Sequence, residues 1–276
     1  TPNLDRLADE GIVFENHFST STVCSPGRGA LMTGCYPHTN GLMGLVHRGW
    51  KLDTDRTPHL AALLGGAGYD TAVFGGQHEH WDPRLLGYAE IPAEGTHHGE
   101  DIARRFADWI ASRKDASRPF FANICFGEGH RVGMNPSHFR RDIYEPADPA
   151  SVDVPPWLPD IPEIREDLAW FYGALGYIDT QVGRLLDAIE HAGMALSTVV
   201  VFTADHGASF IHGKATLYDG GTKVAMLARH SGSLPAGRRV SNLTSHVDLV
   251  ATLFEHLGLE APGHVEGRSQ LGLIRG

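Results

Sequence analysis

Cysteine is scarce in this sequence. The 276 residues include only three cysteines, an odd number at scattered spacing: Cys24, Cys35 and Cys125. This excludes a disulfide framework and a Cys-x-x-Cys zinc site as the basis of the fold, while a single bridge between two of the three stays open. Any special role for a thiol must therefore come from its immediate neighbours.

Positive charge is also in deficit. The formal net charge is -10 at pH 7 and the pI is near 5.9. A field of this sign repels phosphates, so broad binding to nucleic acid or anionic membranes is excluded and any anion site has to be local. No apolar run approaches the roughly 20 residues that span a bilayer. No signal peptide is present, but the chain starts at Thr1 without an initiator methionine, so the compartment stays open.

Length and hydrophobic patterning predict one α/β domain. With 42% hydrophobic residues, the chain can bury a large core. Strands are predicted within 11–18, 70–74, 119–126, 198–203 and 223–228. Helices are predicted from Thr1 and over 59–67, 100–114, 163–192 and 246–257, with 163–192 as one long helix or two joined. Segments 35–55 and 131–162 are predicted to be loops.

Strands that alternate with helices imply a mostly parallel sheet with helices on both faces. In such sheets, ligands bind at the carboxyl ends of the strands. A polar residue follows each of the first four predicted strands: Cys24, His78, His130 and Asp205. We therefore expect these side chains to converge on one site.

The segment from Cys24 to Gly34 reads Cys-Ser-Pro-Gly-Arg-Gly-Ala-Leu-Met-Thr-Gly. Ser25 is predicted to cap a helix with Pro26 at its first position and Gly34 at its left-handed end. Cys24 then lies just before a helix N-terminus, where free N–H groups and the helix dipole favour an anion and activate a thiol. Arg28, one turn later, adds a forked cationic donor.

Asp205 and His206 directly follow the most apolar predicted strand. A carboxylate and an imidazole are therefore placed next to each other at the end of a rigid strand. The pair suits a divalent cation, although an isolated Asp-His pair is more often an exposed turn without a ligand. Taken alone, Lys214 is expected to be a solvated lysine on the surface. His130, taken alone, is expected to be a structural or surface histidine.

Five segments resemble the sulfatases, a branch of the alkaline phosphatase superfamily. Cys-x-Pro-x-Arg with Gly-x-x-x-Thr-Gly resembles the family signature, and 203–207 resembles its metal-binding turn. Segment 213–221 is similar to the family's sulfate-pairing lysine segment, 126–130 to its Phe-x-Asp-Pro-His, and 75–78 to its Gly-Lys-Trp-His. Segments 36–45 and 158–169 look most like the heparan N-sulfatase (sulfamidase) branch. The resemblance implies an alkaline phosphatase-like fold.

The resemblance implies a role for each motif residue. Cys24 would be oxidised by a maturation enzyme, such as the formylglycine-generating enzyme, to formylglycine, whose hydrated aldehyde is the nucleophile. Arg28 would steady that hydrate, and one calcium ion would be held by Asp205 and His206 beside the modified Cys24.

Further resemblance concerns the sulfate itself. Lys214 and His130 would neutralise or protonate the departing group, and His78 would contact the bound sulfate or covalent intermediate. Gly76 stands where the family has a sulfate-binding lysine. We hypothesise that Arg48 or His47, in the loop near Cys24, replaces that charge.

The resemblance predicts a single catalytic domain over residues 1–276. Family members begin with a strand that ends in paired aspartates, two further metal ligands, and usually carry a smaller C-terminal subdomain. Both would lie outside this sequence, so we expect a fragment with an incomplete metal site and an unpaired sheet edge.

The function predicted in this way is hydrolysis of a sulfate ester or sulfamate on a sulfated sugar. One alternative is a phosphoester or phosphonate hydrolase of the same superfamily, because tetrahedral oxyanions make similar demands on a site. Another is a non-catalytic relative that binds sulfated glycans, which Gly76 favours and the intact motif from Cys24 to Arg28 opposes. Family members are often exported or lysosomal, which leaves the compartment of this protein open.

Overall fold

Strands and α-helices alternate along the chain in the computed structural model, which describes all residues except 93, 94, 96, 97, 114–116 and 135. The described part contains six strands: β1 (Ile12–Phe18), β2 (Asp70–Gly75), β3 (Phe120–Cys125), β4 (Val200–Thr203), β5 (Met226–Arg229) and β6 (Arg238–Ser245). It also contains nine α-helices: α1 (Pro2–Asp9), α2 (Cys24–Thr33), α3 (Pro37–Asn40), α4 (Leu60–Gly66), α5 (Gly99–Ser112), α6 (Pro162–His191), α7 (Asp219–Thr222), α8 (Asp248–Leu257) and α9 (Leu271–Arg275). Short 3₁₀ turns lie at Val46–Arg48 and Pro83–Leu86.

The predicted strands are all present within a few residues of their expected bounds, whereas the prediction does not include β6 or the short helices α3, α7 and α9. In β6 two of the eight residues, Val240 and Thr244, are buried, so it lacks the apolar run that marks a strand in the sequence. Segment 35–55, predicted as a loop, contains α3 and a 3₁₀ turn. Segment 163–192 forms one continuous helix, α6, and α8 begins at Asp248 rather than at 246. The predicted end of α5 at 114 lies outside the described residues.

The strands form a four-stranded sheet in the order β4-β5-β1-β6 and a two-stranded sheet of β2 and β3. β1 is parallel to β6 and β2 is parallel to β3, but β5 is antiparallel to both β1 and β4. The predicted fold class is confirmed. Among the described strands of the four-stranded sheet, β4, β1 and β6 run in the same direction and β5 runs against them, so this mostly parallel sheet is a mixed one. The physical reason is that the connection from β4 to β5 contains only the four-residue helix α7, and an antiparallel neighbour needs no crossover helix.

Helices cover both faces of the strands, as predicted. On one face, α2 and α8 pack against β1 in a cluster that includes Ile12, Leu31 and Phe254. On the other face, α1 and α6 pack against β4 and β5 around Leu7 and Leu186. The loops at the strand ends are therefore held by two packed layers. Among the described helices, none is both long enough and apolar enough to cross a membrane.

A buried carboxylate from α6 holds the N-terminus of α1. Asp179 is 2% exposed, and its Oδ1 accepts hydrogen bonds from the backbone N–H groups of Leu4 at 2.8 Å and Asn3 at 3.1 Å. A helix N-terminus leaves its first N–H groups without partners in the helix, so this carboxylate satisfies them and is favoured by the helix dipole. The contact ties α1, which leads into β1, to the long helix.

Three buried histidines are expected to make the fold sensitive to acid. His17, His59 and His246 are at most 2% exposed, and burial lowers their pKa values to about 3, 4 and 4. They are neutral in the folded chain and take up a proton near pH 6.5 when it unfolds, so their contribution is present above pH 6.5 and is lost as pH falls toward 4. Between pH 7 and pH 5, we expect the free energy of unfolding to fall by about 2 kcal/mol for each histidine.

Urea denaturation at the two pH values measures this loss. His17→Gln should remove about 2 kcal/mol of the pH dependence, while the same change at the exposed His191 should leave it as in the wild type. A His17→Gln variant that retains the full wild-type pH dependence contradicts the expectation.

Candidate active site

Helix α2 begins at Cys24, two residues earlier than predicted. Val23 is the N-cap, with a φ of -130°. Ser25, predicted to cap the helix, is buried and accepts a hydrogen bond from the N–H of Val46 at 3.2 Å instead. Gly34 ends the helix with a φ of 67°, as predicted. Cys24 therefore lies in the first turn of α2, beside the free N–H groups and the positive end of the helix dipole.

Asp205 and His206 lie in the turn after β4, directly against the start of α2. A Cβ atom added to Gly27 would be 2.7 Å from the carbonyl oxygen of Asp205, so only glycine permits this approach of helix and turn. The Nδ1–H of His206 donates to the carbonyl oxygen of Gly207 at 2.7 Å, because a carbonyl can only accept. Its Nε2 then faces the sulfur of Cys24 at 3.2 Å.

Lys214 links Cys24 to His130. Its Nζ lies 3.4 Å from the sulfur of Cys24 and 3.1 Å from Nε2 of His130. The Nδ1–H of His130 donates to the following backbone carbonyl at 2.7 Å, so Nε2 is free to accept from the ammonium group. The loop around Lys214 is held in an uncommon conformation, with a left-handed φ at two non-glycine residues, His212 (58°) and Ala215 (66°). Such strain is concentrated at functional sites.

Arg28 contacts two side chains that the sequence analysis missed. Its Nη2 donates to the sulfur of Cys125 at 2.8 Å, and its Nε lies 3.2 Å from a carboxylate oxygen of Glu79. Both partners are buried. A signal for them exists in the sequence, since Cys125 ends β3 and Glu79 directly follows His78 in the loop after β2, so both lie at the carboxyl end of a strand.

His78 reaches Cys24 from the loop after β2, and its hydrogen bond lowers the pKa of the thiol. Next to it lies His47, whose Nδ1 is 3.2 Å from Nε2 of His78, with the two rings stacked at 12°. His47 and Arg48 are both exposed at the end of their 3₁₀ turn, but only the contact of His47 with His78 is seen among the described residues. Of the two residues hypothesised to replace the family's lysine, the structure thus brings His47 to the site.

Comparison with known proteins matches nearly the whole chain to one family. The sulfatase family model matches residues 1–259. The chain belongs to the sulfatase family. Human N-sulphoglucosamine sulphohydrolase is 31% identical over 307 residues, a match that covers 98% of this chain and 60% of that protein. Human N-acetylgalactosamine-6-sulfatase is 28% identical over 308 residues, covering 95% of this chain and 58% of that protein. The chain thus spans about 60% of the length of these curated relatives.

Solved structures share the fold over the whole chain. One, from a study of glycosaminoglycan metabolism by Bacteroides thetaiotaomicron, superposes with a TM-score of 0.85 at 21% identity and covers 100% of this chain and 69% of its own. The phosphonate monoester hydrolase of Agrobacterium radiobacter superposes with a TM-score of 0.77 at 22% identity, covering 100% and 72%. A third, solved with its substrate D-glucosamine-2-N,6-O-disulfate, gives a TM-score of 0.73 at 20% identity, covering 100% and 75%. The predicted alkaline phosphatase-like fold is confirmed.

The groups around Cys24 lower the pKa of its thiol. Burial alone raises the pKa of the Cys24 thiol, but hydrogen bonds with His206 and His78 outweigh it and lower the pKa to about 5. The reciprocal effect appears at His206: burial lowers its pKa, while Cys24 and Asp205 raise it to a value above the ordinary one. The site therefore stabilises an anion at position 24 and a cation beside it.

Within the part of the chain that the structure describes, one group of three potential metal ligands is close enough to share an ion. The ligand atoms of Cys24, Asp205 and His206 all lie within 4.8 Å of one another. They offer one thiol, one carboxylate and one imidazole, whereas calcium takes roughly six to eight oxygen ligands. The set therefore fits part of a calcium site. An oxygen in place of the sulfur at position 24 would make it a better match for a hard ion.

Proposed function

We propose that the full protein hydrolyses sulfate esters or sulfamates on a sulfated sugar, with its nucleophile at position 24. The observation that carries this proposal is the convergence of one activated thiol with imidazole and ammonium groups from separate strand-end loops: Cys24, His78, His130, His206 and Lys214. Fixed donors of this kind stabilise the negative charge that develops on the leaving atom as the bond to sulfur breaks. The names of the curated relatives, sulphohydrolase and sulfatase, support the same reaction class.

We assign Cys24 as the precursor of formylglycine, formed by a maturation enzyme, which supplies a hydrated aldehyde as an oxygen nucleophile. Its place in the first turn of α2 supports this role, because the helix dipole favours the anionic form of the attacking group. Arg28, one turn later and fixed on two sides, orients that group. A covalent step splits one difficult displacement into two easier ones.

We assign Lys214 and His130 to the departing group. The ammonium of Lys214 lies between the nucleophile and Nε2 of His130, so the pair can hold one proton at the position of the leaving oxygen or nitrogen. A compact ammonium donor suits charge that grows during cleavage. His78 contacts Cys24 from the loop after β2. We assign it to contact the bound sulfate or the covalent intermediate.

We also assign one calcium ion to Asp205, His206 and the modified residue 24. A divalent cation at this position supplies positive charge next to the sulfate oxygens. The three residues are close enough to share one ion, and the calcium needs further oxygen ligands to complete its coordination.

The gap between the two sheets suggests where the further oxygen ligands come from. Among the described residues, β3 pairs only with β2 and β4 pairs only with β5, and a cavity of about 1130 Å³ is lined by both strands and by Cys24 and Asp205. Unpaired strand edges along an apolar cavity are unfavourable. We propose that a further strand of the full protein pairs with both edges and carries carboxylate ligands to the metal, and that a smaller C-terminal subdomain completes the catalytic domain.

Peptide mass spectrometry of the segment around Cys24, from full-length protein made in its native host, tests the proposal. We expect a loss of about 18 Da, as conversion of CH₂SH to an aldehyde requires. Initial rates on N-sulfoglucosamine, 4-nitrophenyl sulfate and phenyl phosphonate then define the substrate class, and we expect the sulfated compounds to be hydrolysed faster. Calorimetric calcium titration should show binding that Asp205→Asn removes.

Each alternative has its own outcome in these measurements. An unmodified thiol without turnover, but with binding of heparin fragments that survives Cys24→Ala, would establish a glycan-binding relative. Faster turnover of the phosphonate would establish a phosphonate hydrolase, a chemistry that a structural neighbour of this chain carries in its name.

A further inference from the structure

A fully buried carboxylate lies behind the nucleophile, between α2 and the loop after β2. Glu79 is 0% exposed. One of its oxygens is 3.2 Å from Nε of Arg28, and the other accepts a hydrogen bond from the backbone N–H of His78 at 2.6 Å. The side chain of Glu79 thus contacts both α2, which carries Cys24, and the loop after β2, which carries His78.

The negative charge of Glu79 needs a buried cation, and among the described residues around it Arg28 is the candidate. Burial lowers the pKa of the neighbouring His59 to about 4, so this imidazole is neutral at pH 7. Burial also raises the pKa values of Cys125 and Tyr88, which keeps both groups uncharged. Arg28 is therefore the group that balances Glu79. A buried charge left without its partner is strongly unfavourable, so the two are held together.

Arg28 is fixed by this arrangement on two sides. Burial disfavours its charged form, but the hydrogen bond to Cys125 and the charge of Glu79 hold the pKa of Arg28 well above its usual range. The ion pair at Nε and the hydrogen bond from Nη2 to the sulfur of Cys125 restrict the guanidinium plane. Because Glu79 balances its charge, Arg28 adds orientation to the site rather than net positive charge.

The loop that carries Glu79 is held by hydrogen bonds between its own residues. Oε1 of Gln77 accepts hydrogen bonds from the backbone N–H groups of Glu79 at 2.7 Å and His80 at 3.0 Å. Within this loop, the carboxylate of Glu79 faces Arg28 while the adjacent imidazole of His78 contacts Cys24. A shift of Glu79 would therefore move the guanidinium group of Arg28 and the imidazole of His78 at once.

We propose that Glu79 is a positioning residue, which acts through Arg28 and His78 to hold the group at position 24 for attack. Its catalytic consequence rests on the function proposed above, whereas its effect on Arg28 does not. Positioning contributes to kcat, since a misplacement of about 1 Å can cost roughly 100-fold in rate. It need not contribute to substrate affinity, because the Glu79 charge repels a sulfate.

Glu79→Gln keeps the shape and an acceptor for the N–H of His78 but removes the charge that holds Arg28. We expect kcat for 4-nitrophenyl sulfate in the full-length protein to fall by about 10- to 100-fold, with KM unchanged or lower. Asp179→Asn is the matched control, because Asp179 is an equally buried carboxylate that caps α1 away from the site. It should lose stability but retain its kcat, which separates positioning from a general loss of stability.

An NMR measurement tests the contact with Arg28 without any activity. The Nε–H signal of Arg28, assigned by its loss in Arg28→Lys, should exchange slowly with water in the wild type and in Asp179→Asn. In Glu79→Gln it should exchange at least about tenfold faster. If Glu79→Gln does not fold, Glu79→Asp, which keeps the charge but shortens the reach, is measured in its place with the same expectations.

Wild-type exchange of the Arg28 signal in the Glu79 variant, or wild-type kcat, overturns the proposal. If the wild-type protein itself hydrolyses no sulfate ester, the proposed function fails, and the exchange rate alone decides whether Glu79 positions Arg28.

Discussion

Cys24→Ala is expected to lower kcat/KM on sulfate esters by roughly 10⁴-fold or more, the scale reached when an essential nucleophile is removed. The substitution removes the thiol from which the formylglycine is made, so no hydrated aldehyde can form at position 24. The sulfur that it deletes lies 3.2 Å from His206 and 3.4 Å from Lys214. Initial rates with 4-nitrophenyl sulfate and N-sulfoglucosamine, at equal amounts of folded protein, measure the loss.

Cys35→Ala is the matched control for this change. Cys35 is fully buried, and its thiol donates to the carbonyl oxygen of His264 at 3.0 Å rather than to any group of the site. We expect the control to lose stability and to keep its turnover per folded molecule. Substantial hydrolysis by Cys24→Ala, with the control equally active, would place the nucleophile elsewhere.

Lys214→Ala is expected to reduce kcat by roughly 100- to 1000-fold, as loss of one preorganised donor does. Without the ammonium group, His130 loses its partner at 3.1 Å and the leaving oxygen loses a proton source. The loss should be greatest for poor leaving groups, so the rate of Lys214→Ala should depend more steeply on leaving-group pKa across a series of aryl sulfates.

Lys223→Ala controls for the removal of a positive charge from the same connection between β4 and β5. The Nζ of Lys223 donates to the side chain of Asn16 at 3.0 Å, outside the cluster around Cys24. We expect it to retain wild-type kcat and wild-type dependence on the leaving group. If Lys214→Ala slows good and poor leaving groups by the same factor, its ammonium binds the sulfate rather than assisting departure.

Much of the site could be predicted because strand ends are visible in a sequence. Apolar runs followed by glycine-rich polar segments mark where a strand stops, and the residues after those points, such as His130 and Asp205, do meet at one site. The helix end at Gly34 was equally accessible, since a left-handed φ of 67° favours glycine. The start of that helix was not, because Ser25 is buried and bonded to the distant Val46 instead of capping.

Glu79 shows the limit of this signal: its place after β2 can be read from the sequence, but its burial and its partner cannot. In the sequence it is one of 33 acidic residues and lies between two histidines in a polar loop, a pattern typical of a solvated surface. Its burial and its contact with Arg28 depend on how the loop after β2 packs on α2, and these residues are about 50 positions apart in the chain. No local pattern in the sequence encodes a contact between residues that far apart.

By itself, the sequence determined the α/β class, the order of its main elements, the family motifs and the chemical groups available at position 24 and around it. These features follow from local causes: the period of the apolar residues, the backbone preferences of glycine and proline, and the side chains themselves. Only the tertiary structure decided the antiparallel direction of β5, the gap between β3 and β4, and the pairing of Glu79 with Arg28. Those features depend on which distant segments exclude water from each other, and burial is what turns a surface carboxylate into one that must hold a partner in place.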